Sequence, residues 1–97
     1  MATTFAKAAI QKLNLPAMNL ELITNKASYA LCPPGIRGDL ESSVEVLKRY
    51  LSEAMAVAEQ KATHVSFTKE MMNLAVAKAK KQEGLIMSVM KSIEKAG

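Results

Sequence analysis

The side chains best suited to chemistry are single in this sequence: one cysteine, one histidine and one aspartate, at Cys32, His64 and Asp39. A thiol beside an imidazole base forms a nucleophilic pair, so Cys32 and His64 are the natural candidates for catalysis. The histidine falls in a short link between two predicted helices, where this side chain more often binds helix carbonyls. No third group is evident to orient it. The sequence therefore favours a non-catalytic protein rather than an enzyme.

Metal and phosphate sites are equally hard to build from this sequence. With one cysteine, one histidine and one aspartate, no recurring ligand spacing can be written, which argues against structural zinc and most metal hydrolases. Gly35 and Gly38 lack the glycine spacing, the following Lys-Ser/Thr and the preceding strand of a phosphate-binding loop. We expect no metal and no cofactor.

The overall composition indicates one small soluble domain. The chain has 97 residues, of which 49% are hydrophobic and 23% charged, so a single core with no second domain is expected. Seven Met and only four aromatic residues predict a core of closely approaching helices with adaptable packing. No apolar run is long enough for a membrane span, and one cysteine fits a reducing compartment. We expect a cytoplasmic protein with no membrane partner.

A long amphipathic helix is predicted for residues 39–63. Pro33, Pro34, Gly35 and Gly38 punctuate the chain just before it, and the carboxylate of Asp39 suits a helix N-cap. The apolar positions then repeat at helical spacing along one stripe. These positions are Leu40, Val44, Leu47, Leu51, Ala54, Met55, Ala58 and Ala62.

A second long helix is predicted for residues 68–95, with Thr68 as its N-cap. Its broad apolar face keeps its phase across Gly84, which favours one continuous helix over two. That face comprises Met71, Met72, Leu74, Ala75, Ala79, Leu85, Ile86, Val89, Met90 and Ile93, while Val76 and Met87 fall on the side expected to face water. The short link at 64–67 requires the two helices to lie antiparallel.

Residues 1–38 are harder to interpret. Phe5, Ala6, Ala9, Ile10 and Leu13 predict a short helix that begins behind Thr3 or Thr4 and ends near Pro16. From Leu20 to Cys32 the pattern fits a small hairpin or a short helix capped by Asn19, with helix or irregular coil preferred. The fold class expected is mostly α: a long antiparallel helical hairpin with a short N-terminal helix packed across it.

A second apolar stripe on the helix 39–63 predicts a neighbour. Val46, Tyr50 and Val57 lie roughly 90° from the main stripe, so this helix is apolar over about half its circumference. Phe5, Ile10 and Leu13 of the same chain could cover the stripe, or it could bind a partner. We take the three residues as the candidate partner-binding site of an adaptor, chaperone or small regulator, and we expect a homodimer.

The charge distribution supports an alternative function. Residues 1–38 carry four basic side chains and one acidic one. Residues 39–63 carry three basic and five acidic side chains, and residues 64–97 carry six basic and three acidic ones, for a net charge of +4. Lys78, Lys80, Lys81 and Lys91 are candidate contacts for a small basic DNA- or RNA-binding protein. The two arginines and four aromatic residues give little means of reading or stacking bases, so lysines on a solvated helix surface are the simpler interpretation.

Overall fold

The computed structural model describes residues 2–97 and contains only helices in that part of the chain. Helix α1 spans Ala2–Thr24, a 3-10 helix spans Ala27–Leu31, α2 spans Pro34–Ala58 and α3 spans Lys69–Ala96. The three α-helices pack together into an elongated body measuring 51 × 21 × 18 Å. The all-helical fold class predicted from the sequence is confirmed.

Contacts between the helices define their directions. Ser43 in the first half of α2 donates a hydrogen bond to Gln82 at the middle of α3. Glu53 near the end of α2 accepts hydrogen bonds from the backbone N–H (2.7 Å) and hydroxyl (2.9 Å) of Ser66, just before α3 begins. Helices α2 and α3 therefore run in opposite directions along each other.

Helix α1 is neither short nor laid across the other two. It continues through Pro16 to Thr24 and lies lengthwise against α2 and α3. Proline in a helix interior costs about 3 kcal/mol, because the Lys12 carbonyl loses its hydrogen-bond donor. Burial of Leu13 before the proline and Leu20 after it offsets this cost, at about 1.5 to 3 kcal/mol for each leucine. The predicted helix end near Pro16 was therefore wrong, as were the hairpin and the Asn19 cap for residues 20–32. The helix or irregular coil preferred there corresponds to the end of α1 and the 3-10 helix.

Helix α2 begins at Pro34 rather than Asp39. Proline suits the first helical position, because the N–H that it lacks would have no partner there and its backbone angle already fits a helix. Asp39 therefore lies inside the helix with its side chain exposed, and it is not the cap.

The C-terminal end of α2 is a left-handed turn that no glycine marks. Gln60 has a φ of 63°, and its N–H donates to the Val57 carbonyl at 3.1 Å. The Lys61 N–H donates to the Ala56 carbonyl at 2.7 Å, which completes a Schellman motif. The helix therefore ends at Ala58 rather than at residue 63 as predicted, and the link to α3 runs from residue 59 to residue 68.

Helix α3 has the start and the continuity that the sequence predicts. The Thr68 hydroxyl accepts a hydrogen bond from the Met71 N–H at 3.1 Å. The helix continues through Gly84, and no glycine of residues 2–97 has a positive φ. The predictions of a Thr68 cap and of a single helix are both confirmed.

The buried face of α3 is rotated toward α1 relative to the predicted face. Val76, expected to face water, is buried in the core with Met72, Ala79, Ile86 and Met90, whereas Leu74 and Leu85 are exposed. The cause is the length of α1: α3 lies against two long helices, so its buried face points between them. Met87 is exposed as expected.

Candidate protein-interaction site

Most of the predicted partner-binding stripe lies inside the core. Tyr50 is 6% exposed and Val57 3%, and only Val46 keeps a half-buried position. The ring of Phe67, in the link, stacks on Tyr50 with centroids 4.3 Å apart, and Phe5 packs against Phe67 at 5.8 Å. Tyr50 and Val57 therefore offer a partner little exposed surface. The sequence analysis considered Phe5 as a cover but missed Phe67, the aromatic residue of the link.

A groove between α2 and α3 brings Val46 and Tyr50 together with exposed residues of α3. It has a volume of about 330 Å³ and is lined by Ser42, Ser43, Val46, Tyr50, Met71, Leu74, Ala75 and Lys78. Leu74 is 71% exposed and Met71 is 42% exposed. Sequence reasoning placed both residues in the core, because the width of an apolar face does not show where its buried part ends. We call this cleft the α2–α3 groove.

A second groove lies on the other side of α3, against α1. It has a volume of about 240 Å³ and we call it the α1–α3 groove. Pro16, Leu20, Val76 and Ala79 give it apolar surface, and Lys12 and Lys80 contribute charge from the two helices. Gln11, Leu15, Asn19 and Glu83 complete its lining. Nothing in the sequence analysis identified this cleft, because α1 was predicted to end near Pro16.

The lysines proposed for nucleic-acid binding are all exposed but do not share one side of α3. Lys78 lines the α2–α3 groove and Lys80 lines the α1–α3 groove. Residues two apart are separated by about 200° around a helix, so these two side chains leave α3 in nearly opposite directions. Lys81 and Lys91 line neither groove.

The candidate catalytic pair is not assembled. Cys32 is buried near the end of α3, where its thiol donates to the Ser28 carbonyl at 3.6 Å and Ser28 in turn donates to Glu94 at 2.7 Å. His64 lies at the opposite end of the bundle, near Ala2 and Phe5, and within residues 2–97 its side chain forms a hydrogen bond only with Thr63. Within residues 2–97, no three His, Cys, Asp or Glu side chains are grouped in a way that could hold a metal ion.

A hydrogen-bonded cluster fixes the segment between α1 and α2. The buried Tyr29 donates to the Glu41 carboxylate at 2.5 Å, and Arg37 donates from Nε to the Cys32 carbonyl at 2.9 Å. Burial, and then the hydrogen bond to Glu41, raise the pKa of the Tyr29 hydroxyl well above its usual value. This cluster holds the start of α2 in place and therefore the N-terminal part of the α2–α3 groove.

Comparison with protein-family models, with curated proteins and with solved structures finds no match to this chain. None of the helices described for residues 2–97 is long and apolar enough to cross a membrane. The exposed surfaces of the chain and their charges determine what it can bind.

Proposed function

We propose that this protein is a non-catalytic interaction module, an adaptor, chaperone or small regulator, that binds an apolar helix in the α2–α3 groove. The observation that carries the proposal is the position of Leu74, which is 71% exposed beside Val46 and Tyr50 rather than isolated on the surface. A single exposed leucine is ordinary, but one that borders an apolar cleft offers a contact to a partner.

The chemistry of the groove suits a helical ligand. An amphipathic helix binds such a cleft with apolar residues spaced three and four apart, and covering a leucine contributes about 1.5 to 3 kcal/mol. Met71 gives the wall a side chain that adjusts to differently shaped ligands. Lys78 lies in the same lining, where its ammonium group can pair with a carboxylate of the ligand.

A second copy of the chain is one partner that fits this groove. Two-fold pairing would place the Met71 and Leu74 ridge of each copy against the other copy, in an interface that uses the same surface twice. The predicted homodimer is therefore retained in the proposal, with Leu74 and Met71 replacing Tyr50 and Val57 as its contacts.

The proposal is tested by crosslinking from inside the groove. A photoreactive residue at position 74 should crosslink to a helix of a partner, or to a second copy, in extracts of the native host. The same residue at position 31 is the control, because Leu31 is 72% exposed, almost as Leu74 is, but lies in the 3-10 helix. Equal crosslinking from both positions, or none from position 74, would refute the proposal.

The alternative function, a small DNA- or RNA-binding protein, is supported by the exposure of Lys78, Lys80, Lys81 and Lys91. Binding through lysine–phosphate contacts releases counterions, so affinity for a mixed-sequence duplex or single strand would fall steeply with salt. A fluorescence titration at two salt concentrations separates the functions, since apolar groove binding changes little with salt.

A further inference from the structure

Helix α1 carries an exposed apolar ridge on the side opposite its buried face. Leu15, Met18 and Leu22 are each between 50% and 62% exposed, and their spacing of three and four residues places them in one row along the helix. The buried residues of α1 form a separate row on its other side. This helix is therefore apolar on two faces, and within residues 2–97 only the face opposite the ridge is buried.

Leu15 also borders the α1–α3 groove, which joins the ridge to a cleft with an apolar interior. Leu20, Val76 and Ala79 provide this interior, where the small side chain of Ala79 leaves space between the helices. The apolar surface of the ridge and the cleft is continuous through Leu15. A helix that places one side chain in the cleft can cover Leu15 with its neighbouring turn.

The charges around this groove are predominantly basic. Lys12 enters its lining from α1 and Lys80 from α3, and both side chains are exposed. The structure shows no ion pair for either residue within the described chain, 2–97. A carboxylate held above the cleft could therefore pair with ammonium groups from both helices, although each such surface pair adds only about 0.2 to 1 kcal/mol.

From this combination we propose that the α1–α3 groove binds an acidic amphipathic helix of a partner protein. Apolar side chains of that helix fill the cleft and cover Leu15, and its carboxylates lie between Lys12 and Lys80. This inference goes beyond the proposed function and does not depend on it, because it concerns the other side of α3 and a ligand of defined charge.

A second copy of this chain does not have the surface to occupy the groove. Met71 and Leu74 of α3 lie beside Lys78, and the ridge on α1 lies between Lys12 and the ion pair of Glu21 with Lys48, so neither surface brings an unpaired carboxylate. Helix α2 carries four of the nine acidic residues and exposes one large apolar side chain, Met55, whose neighbouring carboxylates Glu21 and Glu59 are paired with lysines. The required combination of acidic and apolar surface must come from another protein.

Glu83 makes a mixed-charge helix a better ligand than a uniformly anionic surface. It lies in the same lining as Lys12 and Lys80, so a phosphate backbone or an anionic membrane laid along the groove would meet one like charge. A helix can avoid that repulsion with a neutral or basic residue opposite Glu83. The glutamate therefore also favours one orientation of the bound helix.

The test uses a designed peptide as the probe, because the partner is not identified. The peptide is a labelled helix of about four turns, with leucines at spacing three and four, glutamates beside them in its first half and a lysine near its end. Fluorescence anisotropy reports its binding to the full chain. One control peptide has the same composition with the leucines out of phase, and a second has lysine in place of each glutamate. Only the acidic, in-phase peptide should bind tightly.

Variants of the protein then locate the site. Lys12→Glu combined with Lys80→Glu should weaken binding about tenfold or more, and Leu15→Asp should weaken it similarly. Lys81→Glu and Leu74→Asp are matched controls that leave the α1–α3 groove unchanged, and they should bind as the parent chain does. All five positions are exposed, so circular dichroism should show native helix content in every variant.

Charge reversal gives a second, independent measurement. The lysine-substituted peptide should bind the Lys12→Glu/Lys80→Glu variant better than it binds the parent chain. The proposal is overturned if that exchange fails, or if Lys81→Glu weakens the acidic peptide as much as the double variant does. Loss of binding in Leu74→Asp alone would also overturn it and would place the peptide in the α2–α3 groove. If anionic vesicles or duplex DNA bind more tightly than the acidic peptide, and the same variants weaken that binding, the ligand of the groove is one of these and not a helix.

Discussion

The hydroxyl of Tyr29 donates a 2.5 Å hydrogen bond to the carboxylate of Glu41, across the junction between the 3-10 helix and α2. Tyr29 is buried, and its hydroxyl oxygen also lies 3.3 Å from the Arg37 carbonyl. The Arg37 side chain in turn donates a hydrogen bond to the Cys32 carbonyl. These contacts attach the segment that contains Pro33 and Pro34 to the first turns of α2, without a side-chain N-cap on that helix.

Substitution of Tyr29 by phenylalanine should destabilise the fold by about 1.5 to 3 kcal/mol, because a hydrogen bond to a carboxylate is lost while the ring stays in place. Urea unfolding followed by circular dichroism measures this loss. Ser92→Ala is a suitable control, since its exposed hydroxyl bonds only the carbonyl of Ser88 one turn earlier. A Tyr29→Phe variant as stable as the parent would show that the bond to Glu41 contributes nothing.

Burial of Tyr29, together with its bond to Glu41, makes the stability depend on alkaline pH. The pKa of Tyr29 is raised in the folded chain, so the unfolded chain releases the phenolic proton first, near pH ~10. The stabilisation is therefore complete below that pH and is lost as the pH rises further. We expect the difference in unfolding free energy between the parent and Tyr29→Phe to shrink between pH ~8 and pH ~11. A constant difference would contradict this linkage.

Replacement of Gln60 by glycine should stabilise the chain. A non-glycine residue in the left-handed region costs about 1 to 2 kcal/mol, and glycine removes this cost but adds freedom to the unfolded chain. A net gain of about 0.5 to 1 kcal/mol is expected in thermal or urea unfolding. The neighbouring Glu59→Gly, at a residue with a φ of −89°, is the control and should destabilise. A loss of stability in Gln60→Gly would contradict the Schellman end of α2.

Replacement of Gly84 by alanine should also stabilise the chain, by about 0.8 to 1 kcal/mol. Gly84 lies inside α3 with no positive φ, and a Cβ added there meets no atom within 4 Å. Alanine favours the helix over glycine by that amount. The reciprocal change Ala77→Gly, at an exposed position of the same helix, should cost a similar amount. A fall in melting temperature for Gly84→Ala would argue for a hinge at this position.

Self-association through the α2–α3 groove should depend on Leu74. Static light scattering or sedimentation of the parent chain should show a dimer, and Leu74→Glu should shift it to monomer, because a buried unpaired carboxylate is strongly unfavourable. Leu31→Glu, matched in exposure, should leave the dimer intact. A parent chain that remains monomeric at the highest soluble concentration would contradict the homodimer. Tyr50→Glu is unsuitable for this purpose, since Tyr50 is part of the core.

The sequence predicted the all-helical class and the start and continuity of α3, because these depend on local signals. Thr68 is a good N-cap by its chemistry alone. The apolar stripe that keeps its phase across Gly84 predicts one helix without any information about the neighbouring helices. The length of α1 depended on side chains that the other helices bury on both sides of Pro16. Helix propensity carries no information about such tertiary contacts. The end of α2 depended on Gln60, a residue type that carries little signal for a left-handed turn.

The candidate site was less predictable than the fold. Val46 and Tyr50 were identified as apolar residues outside the main stripe, and both do line the α2–α3 groove. Their burial, however, depended on Phe67, which the sequence analysis left in the link without a contact. Leu74 and Val76 were assigned to the wrong sides of α3, because that choice requires knowing that α1 extends past Pro16.

Helix α3 provides one wall of both grooves, with Leu74 and Lys78 on one side and Val76 and Lys80 on the other. Helix α3 is one unbroken rod of about 42 Å, so a ligand that displaces it in one groove would also change the shape of the other. The occupants of the two grooves would then be coupled through its displacement. If the first ligand changes the affinity for the second by some factor, thermodynamic linkage requires the second ligand to change the affinity for the first by the same factor.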